Sequence, residues 1–137
     1  VANFLPHHLV PLLARAKVRP MVNQLECHPG YTQKAAVRFS FERGMLVQAW
    51  SPLGRGALIR HPTLISIAEA HGISPAQVAL RWSIQRGLMP IPKATELHHQ
   101  RENLEVFDFE LTPEEMDELT NMPQAAFSGL HPDTVTF

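Results

Sequence analysis

Four side chains with something to offer a ligand stand at the ends of short apolar runs: Asn3, Gln24, Trp50 and Lys93. The amides of Asn3 and Gln24 each present a donor and an acceptor in one plane. Trp50 offers a flat aromatic face for stacking, and Lys93 a compact positive charge on a flexible stem. Ser51-Pro52-Leu53-Gly54-Arg55-Gly56 directly follows Trp50 and is rich in turn formers, with hydroxyl and backbone N–H groups. Each of these residues also has a plainer reading. Asn3 and Gln24 could satisfy backbone groups at strand ends, Trp50 could pack in a core, and Lys93 could be a solvated surface charge. Of the eight histidines, His7-His8 and His98-His99 are adjacent pairs. Neighbouring residues on a helix are expected to point apart, so no metal site is expected. Cys27 lacks an identifiable base partner and is expected to be a buried or loop thiol rather than a nucleophile.

The elements that must position these groups alternate along the chain. Pro6 to Ala16 carries Leu9, Leu12, Leu13 and Ala16 at helical spacing, with Pro6 suited to the first turn. Met21 to Glu26 is expected as a strand, Gln33 to Arg43 as a helix ending near Gly44, and Met45 to Trp50 as the next strand. Pro62 to His71 is a helix stopped by Gly72. Ser74-Pro75-Ala76-Gln77 is a capping box opening a helix that carries Val78, Trp82 and Ile84 toward a core. Leu88 to Ile91 is expected as a third strand and Glu96 to Asn103 as a short helix. Thr112-Pro113-Glu114-Glu115 opens a last helix through Leu119. Residues 123–137 show no periodicity and are expected to be a loop that packs on something. Strands separated by helices imply βαβ units and a parallel sheet.

The 137 residues suffice for one domain with a sizeable core. A net charge of −1 without a basic patch argues against nucleic acid or an anionic membrane as partner. A single cysteine excludes an internal disulfide and fits a reducing compartment, so a cytoplasmic location is expected. No apolar run is long enough to span a bilayer. The chain opens on Val1 rather than Met, so a preceding segment is expected.

Several segments resemble one family in order and spacing. Val1-Ala2-Asn3-Phe4 resembles the end of a Gly-Val-Ser-Asn-Phe segment, and Val22-Asn23-Gln24-Leu25-Glu26-Cys27-His28-Pro29 a V-N-Q-x-E-x-H-P strand. Gln48-Ala49-Trp50-Ser51-Pro52-Leu53-Gly54 resembles an A-Y/W-S-P-L-G loop. Ile91-Pro92-Lys93, Glu102-Asn103 and Phe107-Asp108-Phe109 resemble an I-P-K-S … E-N … F-D-F run. Each is weak alone. Together, over nearly all 137 residues, they are similar to the aldo-keto reductases. Trp50 and His131-Pro132-Asp133 look most like the prokaryotic diketogluconate reductases.

The resemblance implies an α/β fold: the C-terminal half of a (β/α)8 TIM barrel, incomplete as given, with residues 1–137 one fragment and 123–137 a C-terminal substrate loop. In such barrels functional groups lie at the C-terminal ends of strands. By resemblance, Asn3 and Gln24 hold a nicotinamide carboxamide and Trp50 stacks on the ring. Ser51, Leu53 and Gly54 offer hydroxyl and N–H groups to the pyrophosphate. Lys93, with Ala94, Thr95 and His99 nearby, faces the adenosine 2′-phosphate, and Glu102 and Asn103 the adenine edge. The implied cofactor is NADP(H), with NAD(H) as a second candidate. Three positions depart from the family pattern. Ala94 replaces a Ser, a loss that Thr95 offsets in part. His99 replaces an Arg whose fork is bidentate and always charged. Ala2 stands where Ser or Cys is usual. Weakened preference for NADPH is therefore expected.

The family's reaction is hydride transfer to a carbonyl carbon, with a Tyr, Lys, Asp and His tetrad. None of the four maps onto this chain, and its only tyrosine, Tyr31, does not match the catalytic motif. The parent is thus expected to reduce aldehydes or ketones, keto-sugar acids such as diketogluconate among them, while this chain alone is expected to be inactive. Three full strands plus the end of a fourth cannot close an eight-stranded barrel, so a partner is expected: a missing N-terminal half or a second copy. A non-catalytic half-barrel or interaction module that keeps a dinucleotide site stands as the alternative.

Overall fold

The computed structural model describes residues 1–135. A three-stranded parallel sheet runs in the order β1 (Val22–Glu26), β2 (Leu46–Trp50) and β3 (Met89–Pro90). β1 and β2 pair from Val22↔Leu46 to Glu26↔Trp50, and β2 meets β3 at Gln48↔Met89. Val1 to Asn3 lies against the free side of β1, where the Gln24 N–H donates to the Val1 carbonyl (2.9 Å) and the Asn3 N–H to the Gln24 carbonyl (2.7 Å). β3 is shorter than Leu88 to Ile91. Pro90 has no N–H for the ladder, although the Ile91 N–H still reaches the Ala49 carbonyl at 3.0 Å.

Among the described residues six α-helices surround these strands: α1 (Pro6–Arg15), α2 (Lys34–Phe41), α3 (Pro62–His71), α4 (Pro75–Gln85), α5 (Leu97–Leu104) and α6 (Pro113–Thr120). Their ends follow the capping chemistry. Ser74 Oγ accepts from the Gln77 N–H while Gln77 Oε1 accepts from the Ser74 N–H, and Thr112 and Glu115 repeat the arrangement at α6. Gly72 ends α3 at φ +66°, a left-handed cap. α2 is shorter than expected at both ends. It begins after Gln33, itself left-handed, and stops at Phe41 before a turn through Gly44.

The helices cover one face of the sheet. Leu25, Val47 and Ala49 pack there against Val37 of α2, Leu64 and Ile67 of α3, and Val78 and Trp82 of α4. Ile84 is only half-buried and leaves this core. The opposite face is open, with Leu46 54% and Met89 46% exposed. Parallel strands are ordinarily covered on both faces; here the alternation along β2 shows that only one is. That open face corresponds to the interior of a closed barrel, and the fold is the C-terminal half of a (β/α)8 barrel, incomplete in this chain.

Three buried polar side chains lock the elements. The Asn23 amide donates to the Phe4 carbonyl (2.8 Å) and to Ser40 Oγ (3.1 Å), tying the first residues and α2 to β1. Arg81 of α4 donates to the Val106 carbonyl (3.2 Å) and to Glu110 (3.0 Å), and Gln77 to the Glu102 carbonyl (3.1 Å). α5, which buries no side chain of its own, is held in place this way.

Candidate functional site

The C-terminal ends of the strands carry two neighbouring cavities that meet at Trp50-Ser51. The larger, about 740 Å³, is lined by Asn3, Phe4, His7, His8, Trp50 and Leu130, among others. The second, about 460 Å³, is lined by Ser51, Leu53, Arg55, Gly56, Pro92 and Lys93, among others. Strand order makes this juxtaposition: Val1–Asn3, β1 and β2 lie side by side, so the Asn3 and Trp50 side chains meet although they are 47 positions apart, with Gln24 on the strand between them.

Hydrogen bonding assigns each amide a remaining capacity. Trp50 Nε1–H donates to Asn3 Oδ1 at 2.8 Å, which leaves the Asn3 NH2 as a donor. The Gln24 NH2 donates to Gln48 Oε1 at 2.5 Å, which leaves Gln24 Oε1 as an acceptor. The Asn3 NH2 thus keeps donor capacity at the indole ring, and Gln24 on the adjacent strand keeps acceptor capacity, the complement that a primary carboxamide satisfies. Asn3 (φ +58°), Ser51 (φ +47°) and Arg55 (φ +54°) are left-handed. Three such non-glycine residues around one cleft are strain of about 1–3 kcal/mol each that the surrounding structure holds in place.

The loop after Trp50 differs from expectation at Gly54. Its N–H already donates to the Ser51 carbonyl at 2.8 Å and the residue is buried, so it has no N–H to offer a phosphate. Its role is steric: a Cβ at Gly54 would lie 2.5 Å from the Ala126 Cβ. Arg55 went unassigned from sequence, yet it faces the same cavity as Lys93 and doubles the positive charge there. Its position between two glycines in a turn was the available signal.

The remaining candidates are spread out. Ala94, Thr95 and His99 follow Lys93 on the surface, Ala94 half-buried and the others exposed. His99 Nδ1 meets Glu102 at 3.2 Å, so this imidazole is already engaged with a carboxylate. Asn103 opens instead into a third cavity with Leu80, Ile84 and Phe107, apart from Lys93.

The histidine pairs do not diverge as expected. The His7 and His8 rings are 4.0 Å apart and those of His98 and His99 3.9 Å, because the side chains tilt toward each other across the helix surface. His7 and His8 both meet Asp133, at 2.9 and 3.1 Å, the one such trio with metal-ligand proximity among the described residues. Its chemistry argues for a clamp rather than a metal. His8 Nδ1 accepts the Leu5 N–H (3.1 Å), so a neutral ring carries its proton on Nε2, the atom that would have to ligate.

Cys27 is fully buried, with Sγ against the Thr32 carbonyl at 3.4 Å. Burial pushes its thiol up to about 11, although Arg86 pulls the other way. The neutral thiol is thus the folded form. Its contribution to stability is intact below the ordinary value of 9.0 and is lost as pH rises through about 11. Alkylation by iodoacetamide at pH 8 is expected to run about a hundredfold slower in the folded chain than in urea. Equal rates would show an exposed thiolate. Burial, Glu26 and Cys27 also raise the Tyr31 phenol, whose ring stacks on Phe127 at 4.5 Å.

The model of the Aldo/keto reductase family matches residues 1–123. The chain belongs to the aldo/keto reductase family. It is 44% identical over 137 residues to glyoxal reductase of Bacillus subtilis and 43% identical to the uncharacterized oxidoreductase YtbE of the same organism, covering 50% and 49% of them. It is 38% identical over 135 residues to 2,5-diketo-D-gluconic acid reductase B of a Corynebacterium species, covering 49% of it. The crystal structure of apo Gox0644 superposes on all of this chain with a TM-score of 0.93 and 36% identity, over 51% of its own length. A mutant of Gox0644 in complex with NADPH matches equally well. The chain spans about half the length of the curated relatives it matches. Among the described residues of this aldo/keto reductase, no helix is long and apolar enough to cross a membrane.

Proposed function

We propose that this chain supplies the cofactor-holding half of an NAD(P)H-dependent oxidoreductase that reduces aldehydes or ketones. The observation that carries the reading is the donor capacity left on Asn3 at the Trp50 indole, with acceptor capacity left on Gln24 of the adjacent strand. A reduced nicotinamide supplies the hydride for a carbonyl carbon. The chain's own residues bind and orient it: Asn3 and Gln24 hold the carboxamide, and Trp50 supports the ring face. Ser51, Leu53, Arg55 and Lys93 surround the cavity suited to phosphates. Thr95, Glu102 and Asn103 belong to the adenosine end, the last only loosely, since it opens into its own cavity. The wall around Trp50 is largely apolar, with Phe4, Pro11, Leu130 and Pro132, so the uncharged end of a glyoxal-like or keto-sugar substrate faces it.

Proton transfer is assigned to a partner half. Tyr31 stacks on Phe127 and does not line the cavity of Asn3 and Trp50, and the chain alone is inactive in this reading. The exposed Leu46, Met89 and Ile91 favour completion of the sheet by that half or by a second copy. The same open face is what favours the second reading, a non-catalytic module that keeps a dinucleotide site.

Titration with NADPH and NADH, followed by tryptophan fluorescence, tests the proposal. Saturable quenching by both is expected, with dissociation constants within about tenfold of each other, that is, within about 1.4 kcal/mol. The engaged His99 and the missing hydroxyl at Ala94 are the reason. A preference for NADPH above a hundredfold would sink the relaxed selectivity. No binding of either at millimolar concentration would remove the preformed cleft from the proposal.

A further inference from the structure

Glu26 ends β1 with its carboxylate 2% exposed, and it bonds to a residue 102 positions away. Its Oε1 accepts the Ser128 N–H at 2.9 Å and its Oε2 the Ser128 hydroxyl at 2.6 Å. That same Ser128 oxygen accepts the Leu130 N–H at 3.2 Å. A relay thus runs from a buried carboxylate through one hydroxyl to Leu130, which lines the cavity of Asn3 and Trp50. On the other side of the carboxylate lies His28, fully buried. Its Nδ1–H donates to the Pro29 carbonyl at 2.8 Å, and its Nε2 meets only Glu26 Oε1, at 3.5 Å, outside ordinary hydrogen-bond distance.

The segment around Ser128 is seated rather than draped. The Ala125 N–H donates to the Gly30 carbonyl at 3.1 Å, and Phe127 stacks on Tyr31. Beyond Leu130, Asp133 is clamped by His7 and His8 of α1. Leu130 and Pro132 are therefore strung between two polar anchors. An apolar wall has no directional bonds of its own to fix its place, so its position depends on such anchors.

We propose that Glu26 and Ser128 are positioning residues that set Leu130 as the wall of the substrate cavity, and so determine how much apolar bulk beside the carbonyl fits there. The substrate part of this proposal rests on the oxidoreductase reading above; the positioning part does not.

Ser128→Ala removes the relay without touching the core, and Ser128→Thr restores the hydroxyl. In the full chain, hydrogen exchange at the Leu130 amide is expected to speed up at least tenfold in Ser128→Ala and to return toward the original rate in Ser128→Thr. Exchange at Val78 and Ala79 in the core is expected to stay unchanged. Acrylamide quenching of Trp50 is expected to increase in Ser128→Ala, because the wall no longer shields the ring. Unchanged Leu130 exchange and unchanged quenching would overturn the positioning role, as would an equal acceleration across the whole chain. NADPH binding by the unaltered chain is read separately. Its absence overturns the oxidoreductase reading and with it the substrate part, whereas unchanged Leu130 exchange with NADPH binding intact overturns the positioning role alone.

Discussion

Replacing Trp82 with alanine is expected to lower the stability of the chain by about 3–5 kcal/mol, the range for losing a fully buried large aromatic. Trp82 is 0% exposed at the centre of the α4 face that packs on the sheet. Its indole N–H donates to Thr120 Oγ1 at 2.9 Å, tying α4 to the end of α6, and Arg86 stacks over the ring at 4.4 Å. Alanine removes the packing, the hydrogen bond and the cation–π contact together. Domains hold only about 5–15 kcal/mol in total, and this one leaves a sheet face uncovered, so the variant is expected to sit near the edge of folding. Urea denaturation followed by far-UV circular dichroism measures the loss. Trp82→Phe keeps most of the apolar area and is expected to cost roughly half as much. An unfolding free energy for Trp82→Ala within about 1 kcal/mol of the original would mean that the α4 interface contributes far less than its burial implies.

Gly54→Ala is expected to cost about 2–4 kcal/mol and to disturb the candidate site at the same time. Two physical terms add. Gly54 sits at φ +54°, where an L side chain is strained, and the new Cβ would meet the Ala126 Cβ at 2.5 Å and Leu58 Cγ at 3.0 Å. Ala126 has little freedom to retreat. It is itself left-handed (φ +58°), and its neighbour Ala125 is bonded to Gly30. Either the 125–128 segment lifts off or the Ser51–Gly54 turn opens, and that turn borders the cavity of Lys93 and Arg55. NADPH affinity is expected to fall at least about tenfold. Gly56→Ala is the control: it is also left-handed (φ +87°) but has nothing within 4 Å of the new Cβ, so only the backbone cost of about 1–2 kcal/mol applies. Equal effects at the two glycines would remove the contact with Ala126 as the cause.

Much of this architecture was legible from local chemistry. Ser74 with Gln77 and Thr112 with Glu115 announced two helices through caps that the structure forms atom for atom. Capping depends on residues three apart, so sequence spacing suffices to read it. The strand lengths were less legible. Leu88 to Ile91 looks like a strand, yet Pro90 withholds a donor and the ladder keeps two residues.

The site was legible in part, for a related reason. Asn3, Gln24, Trp50 and Lys93 stand at the ends of apolar runs, but it was the motifs around them that raised them above core or surface residues. What each amide has left to offer was not readable. The Trp50–Asn3 and Gln24–Gln48 bonds join residues 47 and 24 positions apart, brought together only by parallel register. Gly54 looked like a phosphate donor because its type and turn allow it, but its N–H is taken by Ser51 and its missing side chain makes room for Ala126. The histidine pairs were misjudged because backbone geometry at adjacent positions does not fix where rotatable rings go.

Local alternation, caps and motif order thus determine most of the element types and the family, and they nominate the candidate site residues. Tertiary structure decides which groups keep a donor or acceptor unused, that Arg55 joins Lys93, and that Glu26 reaches Ser128 across 102 residues. The reason is one of range. Backbone propensities and caps act over three or four residues. Hydrogen-bond capacity at a cleft is a sum over partners that only chain crossing brings within about 3 Å of each other.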